Sequence, residues 1–145
     1  MNILIVDDNI RLEQYDRVRK ESLAWYSDKV IQWMVNQTEK LYNKDEVKNM
    51  YEWQNKHGRL YYIVYKGVTM GDVCIYEDDF AIVIDPYYHR KGIASSVIRF
   101  FIKTLRVVIV KEVYSYNIAS QRLFRKLGFR ETASNDNTSY IYEAE

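Results

Sequence analysis

The stretch FAIVIDPYYHRKGIASSVIRFFIKTL, residues 80–105, changes its hydrophobic period halfway along, and that change decides the fold. Phe80–Asp85 is a short β-rich run, and Pro86, which has no amide to give to a ladder, ends it. From there Ile93, Val97, Ile98, Phe101, Ile102 and Leu105 follow three- and four-residue steps, the stripe of an amphipathic helix. Between strand and helix stands His89-Arg90-Lys91-Gly92-Ile93-Ala94. Gly92 and Ala94 leave room for a ligand to approach the backbone closely. The amides that open the helix are unpaired donors at the positive end of its dipole, a natural phosphate cradle, and Arg90 and Lys91 add charge. Alone, the same residues read equally well as a tight connection carrying two solvated cations.

Working outward, the strand is the third of a meander. Leu60–Lys66, Met70–Tyr76 and Phe80–Asp85 are β-rich and are separated by Lys66-Gly67 and Glu77-Asp78-Asp79. Ile3–Val6 and Ile10–Glu13 flank Asp7-Asp8-Asn9 and predict an opening hairpin. Residues 17–35 have helical spacing with a break at Ser27-Asp28. Asp45–Lys56 predicts a further helix, with Asn43 as its cap and Gly58 as its stop. Downstream, Val107–Val113 reads as a buried strand parallel to a neighbour, and Ile118–Leu127 as a helix stopped by a left-handed Gly128. Phe129–Ala133 and Tyr140–Glu143 close the chain as a hairpin. The order ββ-αα-βββ-α-β-α-ββ predicts an α+β fold. With one proline, five glycines and no linker, a single domain over residues 1–145 is expected.

Composition narrows the function. The 21 basic and 20 acidic residues leave a formal charge of +1, so the basic excess of a nucleic-acid binder is missing. No apolar run reaches the roughly 18 residues of a membrane span, and no secretory leader pattern opens the chain, so a soluble cytoplasmic protein is expected. The single cysteine, Cys74, lies in an apolar strand and reads as a small buried hydrophobe. Fourteen tyrosines, with 3 tryptophans and 5 phenylalanines, suggest many half-buried positions and a ring-lined cleft. Core packing is the plainer reading of any one ring, including those around Trp25-Tyr26 and Met50-Tyr51-Glu52-Trp53. His57, at a helix end, suits the dipole there and reads as structural.

A second constellation follows the buried strand: Asn117-Ile118-Ala119-Ser120-Gln121-Arg122-Leu123-Phe124-Arg125-Lys126-Leu127-Gly128-Phe129. With it the chain resembles the GNAT superfamily of N-acetyltransferases. His89–Ala94 is similar to the family's pyrophosphate-binding signature, and Asn117 to Phe129 to its asparagine-led helix ending in Leu-Gly-Phe. The resemblance is specific from about Phe80 to Phe129. It implies the GNAT fold: α/β/α layers around a mostly antiparallel sheet with a splayed parallel strand pair. It implies acetyl-CoA as co-substrate, no metal, and a small-molecule or peptide amine as acceptor. The cofactor would lie between Phe80–Asp85 and Val107–Tyr114. Amides of Lys91, Gly92, Ile93, Ala94 and Ser95, beside His89 and Arg90, would hold the pyrophosphate. Main-chain groups near Ile82 and Ile84 would bond the pantetheine arm, and the Ile84 amide would polarise the thioester carbonyl. Asn117, Ser120 and Phe124 would face the arm from the other side. Asn117 reads equally as a helix cap.

The chain departs from the family at two of these positions. His89 stands where Arg or Gln is usual, and Phe124 where many members carry a tyrosine that protonates the departing sulfur. A thiol with a pKa of about 8.5 leaves tolerably without full acid help, and Tyr114 and Tyr116 are the candidate substitutes. Glu112 resembles the glutamate implicated as base in ribosomal-protein N-acetyltransferases, and burial in a strand would raise its pKa as a base needs. A strand-end salt bridge is the competing reading of Glu112. Glu77, Asp78 and Asp79 form a second acidic candidate, which otherwise reads as a solvated turn. With no evident nucleophile, direct attack by the amine in a ternary complex is expected. A CoA-binding regulatory or interaction protein of the same fold is the alternative. The first and last hairpins offer edge strands through which a homodimer could form.

Overall fold

The computed structural model describes residues 2–77, 79–104, 109–114, 116–135 and 139–144. The opening hairpin, β1 (Ile3–Ile5) and β2 (Ile10–Gln14), turns on Asp7, whose carboxylate accepts the amides of Asn9 and Ile10, both at 2.8 Å. The helical stretch breaks at Ser27-Asp28, as expected, into α1 (Lys20–Tyr26) and α2 (Lys29–Asn36), and Asp28 is the reason. Its side chain takes the Val30 and Ile31 amides, so it caps the second helix where the first has ended. Helix α3 (Lys44–His57) begins in a reciprocal capping box between Asn43 and Glu46. It stops at Gly58 for a reason other than the one expected. Gly58 is extended (φ −141°), and a Cβ there would stand 2.4 Å from the Ile75 carbonyl oxygen, so the glycine permits close backbone approach rather than a left-handed cap.

Strands β3 (Arg59–Tyr65), β4 (Val68–Tyr76) and β5 (Asp79–Ile84) continue the first sheet, whose order β1-β2-β3-β4-β5 is antiparallel throughout. A 3-10 turn at Pro86–Tyr88, unforeseen in the sequence, leads toward α4 (Ile93–Thr104). Strand β6 (Ile109–Tyr114), α5 (Ile118–Lys126), β7 (Phe129–Asn135) and β8 (Ser139–Ala144) complete the chain, the last strands forming a second antiparallel sheet in the order β6-β8-β7. Gly128 has the expected positive φ, 91°. The two sheets adjoin at β5 and β6, which are joined through α4. No ladder links these strands among the described residues, so they stand splayed, and β6 takes its hydrogen bonds from β8.

Alternation along β3 and β4 divides the core between the two faces of the first sheet. Tyr61, Ile63, Val73 and Ile75 pack with Ile93, Val97, Ile98 and Phe101 of α4. Leu60, Tyr62, Cys74 and Val83 pack with Trp25, Tyr26, Val47 and Tyr51 of α1 and α3. Among the described residues no helix is long and apolar enough to cross a membrane.

Candidate active site

The geometry of the splayed edge follows from one hydrogen bond. The Asp85 amide donates to the Met70 carbonyl at 2.8 Å, so those residues form a hydrogen-bonded pair. Pairs alternate along an antiparallel ladder. Asp72 and Val83 are therefore the next bonded pair, while Gly71–Ile84 and Val73–Ile82 lie between bonds. The main-chain groups of Ile82 and Ile84 thus turn away from β4, toward the side on which β6 lies. Their side chains pack toward the α4 face.

Beyond β5 the chain enters the turn anticipated as a cradle. Arg90 and Gly92 both adopt left-handed conformations, φ 65° and 75°, and a Cβ added to Gly92 would meet nothing within 4 Å. The Ser96 amide bonds the Gly92 carbonyl at 3.1 Å. Among the described residues, the amides of residues 90 to 95 have no hydrogen-bond partner. Left-handed residues alternating with others gather such amides into an anion-binding concavity, and the α4 dipole points its positive end there. Ile93 and Ser95 are buried and Ala94 half-buried, so what they can offer is main chain, whereas Arg90 and Lys91 are exposed. A diphosphate fits this donor set and the open space over Gly92.

The other assigned residues take these places. The His89 ring reaches back to the Ile84 carbonyl at 2.9 Å. A carbonyl only accepts, so Nε2 carries the proton and His89 braces the strand end rather than facing a phosphate. Asn117 caps α5, accepting the Ser120 amide at 3.2 Å, and both residues are half-buried. Phe124, expected to face the arm, is 4% exposed, and its ring packs against Phe129 and Tyr142 in the core. The Tyr116 hydroxyl donates to the Trp33 carbonyl at 2.5 Å, and the two rings stack 5.3 Å apart. In this arrangement the hydroxyl, the expected substitute acid, is bonded to α2. Glu112 falls between Val110 and Val113, where the register with β8 shifts by one residue. Such bulges re-aim a strand near active sites. The Glu112 side chain, like those of Tyr114 and Asp79 and all of Asp78, lies outside the described residues. Glu77 sits exposed in the turn with φ 56°.

Two features escaped the sequence reading. Asp72, 4% exposed, accepts the hydroxyls of Tyr26 and Tyr51 on one oxygen, each at 2.6 Å. Burial pushes its carboxyl up to about 6 against the opposing pull of the two tyrosines. Burial beside the same carboxylate raises both tyrosines. The signal available was a lone acid inside the apolar run Met70–Tyr76. Asp85 is the second: its carboxylate accepts the Tyr87 amide at 2.9 Å and the Trp25 indole N–H at 3.0 Å.

Comparison with known proteins follows the same lines. The sequence profile of the acetyltransferase (GNAT) family matches residues 27–129. A search of curated proteins finds no match. Among solved structures, a RimL ribosomal L7/L12 alpha-N-protein acetyltransferase in complex with coenzyme A is similar over 97% of this chain and 96% of its own, with a TM-score of 0.74 at 12% identity. An acetyltransferase from Salmonella typhimurium that modifies the N-terminal serine of ribosomal protein L7/L12 has a TM-score of 0.76 at 15% identity, covering 97% of both chains. A protein from Bordetella pertussis assigned to the GNAT acetyltransferases has 0.75 at 16%, covering 100% of both. At these identities the likeness speaks to the fold.

Proposed function

The chain belongs to the acetyltransferase (GNAT) family, and from that premise we propose that it transfers an acetyl group from acetyl-CoA to a primary amine by direct attack in a ternary complex. One observation carries the reading: the amides of residues 90 to 95, partnerless among the described residues and with Arg90 and Gly92 left-handed, stand at the end of a strand whose Ile82 and Ile84 amides turn away from β4 toward the splay. Residues 1–145 act as one domain in this reading, since the similar structures match along nearly the whole chain.

Each residue then has a task. The amides of Lys91 to Ser95 hold the diphosphate, and Arg90 adds charge at its rim. The outward groups of Ile82 and Ile84 align the pantetheine arm, with Asn117 and Ser120 opposite. The Ile84 amide donates to the acetyl carbonyl oxygen, where negative charge grows during attack. A donor already in place does so without reorganisation. Acetyl-CoA supplies the thioester, and its thiol, with a pKa of about 8.5, departs without a dedicated acid. That suits a site in which Phe124 is core and the Tyr116 proton is bonded elsewhere. Glu112, at the β6 bulge, takes the amine proton.

The acceptor class to try first is a peptide N-terminus, because the similar structures include enzymes that acetylate one. A CoA-binding protein without turnover is the second reading, favoured by the same engagement of Phe124 and Tyr116. Titration of acetyl-CoA into the parent, Gly92→Trp and Gly67→Trp separates the cradle from mere strain. Gly67 also has positive φ (82°) and open space around it, but lies in the β3–β4 turn. Binding by the parent and Gly67→Trp with loss in Gly92→Trp is expected. Equal binding by all three would overturn the cradle. Release of free CoA with a peptide amine then separates enzyme from binder.

A further inference from the structure

The last turn of α1 is fastened to the catalytic edge of the sheet at two successive residues. Trp25, 1% exposed, gives its indole N–H to Asp85 just beyond β5, and Tyr26 gives its hydroxyl to Asp72 on β4, the residue paired with Val83. A buried indole N–H needs an acceptor, and a carboxylate is the strongest available. Asp85 is itself a three-way joint. Its amide is bonded to β4 through Met70, one carboxylate oxygen holds α1, and the other caps the turn into the cradle through the Tyr87 amide. The peptide joining Ile84 to Asp85 is thereby held at both polar groups, its carbonyl by His89 and its amide by Met70. The amide of Ile84, one peptide earlier, faces the splay.

We infer that Trp25 and Asp85 form a positioning pair through which α1 and the cofactor cradle hold one another in place. The pair touches no reacting atom. It fixes the direction of the strand end from which the Ile84 amide and the residues 90–95 cradle both project. Occupancy of the cradle is consequently felt at α1, some 60 residues earlier in the chain. By reciprocity, loosening α1 from Asp85 weakens the cradle's hold on its ligand.

This inference rests on the acetyl-CoA reading, so the test measures binding independently. Acetyl-CoA is titrated into 15N-labelled protein, with heat and the Trp25 indole N–H resonance followed side by side and Trp25→Phe supplying the assignment. In the parent the resonance should move along the same isotherm as the heat. In Asp85→Asn, whose side chain can no longer accept on both atoms, heat should persist while the Trp25 resonance stays still. Trp25→Phe keeps a ring but loses the donor, and should bind acetyl-CoA about fivefold more weakly or worse, the lower end of usual coupling. Trp53→Phe, on α3, should bind within about twofold of the parent on the same scale. A parent resonance that does not move while heat is released would overturn the pair and leave the acetyl-CoA reading standing. So would Trp25→Phe binding as the parent does. A folded parent that releases no heat would overturn the acetyl-CoA reading, and the pair with it. Should Asp85→Asn fail to fold, the parent and Trp25→Phe still decide.

Discussion

Replacing Asp72 with asparagine should remove a specific pH dependence from the stability of the fold. The Asp72 carboxyl is raised from 3.8 to about 6 because burial penalises its charged form more than the hydroxyls of Tyr26 and Tyr51 favour it. Below pH 3.8 the carboxyl is protonated in both folded and unfolded chains and costs nothing. Between 3.8 and about 6 the folded protein retains a proton that the unfolded chain has lost, so stability falls as pH rises. Above about 6 the full penalty is in place. Two pKa units of difference amount to about 3 kcal/mol, or on the order of 6–12 °C in melting temperature for a domain of this size. Asparagine accepts the same hydroxyls but buries an unsatisfied amide nitrogen, a cost of about 1–3 kcal/mol that does not vary with pH. The slope is therefore the diagnostic quantity. Glu13 and Asp16 slope the other way, since despite burial Arg11 and Arg19 hold Glu13, and Arg19 holds Asp16, below the ordinary value, and their effect cancels in the difference. Urea unfolding of parent and variant at half-unit steps from pH 4 to 7.5 makes the comparison. The stability of Asp72→Asn minus that of the parent should climb by about 2.4 kcal/mol across that range, the rest of the penalty having set in below pH 4. A difference that stays flat would refute the assignment of a raised carboxyl to this site.

Other expectations bear on the remaining elements. Asn43→Ala should cost about 1 kcal/mol of unfolding free energy, read by urea titration, because the capping box at α3 loses its acceptor. Phe124→Tyr should destabilise by about 1–3 kcal/mol, since a hydroxyl must fit a packed core. It should not raise the rate of CoA release, and a clear gain in turnover would show that the ring reaches the thioester after all. Glu112→Gln should lower turnover about a hundredfold while leaving the heat of acetyl-CoA binding unchanged, as removal of a general base does. Unchanged turnover would return Glu112 to a structural role.

Local features were legible wherever neighbours in the chain decide them. The Ser27-Asp28 break, the Asn43 cap, the left-handed Gly128 and the strand, turn and helix that follow Phe80 all depend on short-range periodicity, caps and turn chemistry. Those signals survive in a linear string, and with the Asn117 helix they were enough to reach the family. The partner of a polar side chain is decided differently. Asp72 meets Tyr26 and Tyr51 across 46 and 21 residues, Trp25 meets Asp85 across 60, and Tyr116 meets Trp33 across 83. No periodicity encodes such distances. Phe124 shows the same limit, because helical spacing places a residue on a face without saying whether that face looks into a cleft or into the core. Gly58 shows it for the backbone: a glycine ends a helix equally for a positive φ or for a close approach, and only the carbonyl of Ile75 chooses between them. The residues of two local segments, His89–Ala94 and Asn117–Phe129, carried the resemblance to the family. Which groups hold those segments in position was settled only when distant side chains, forced to find partners away from water, came together in the folded chain.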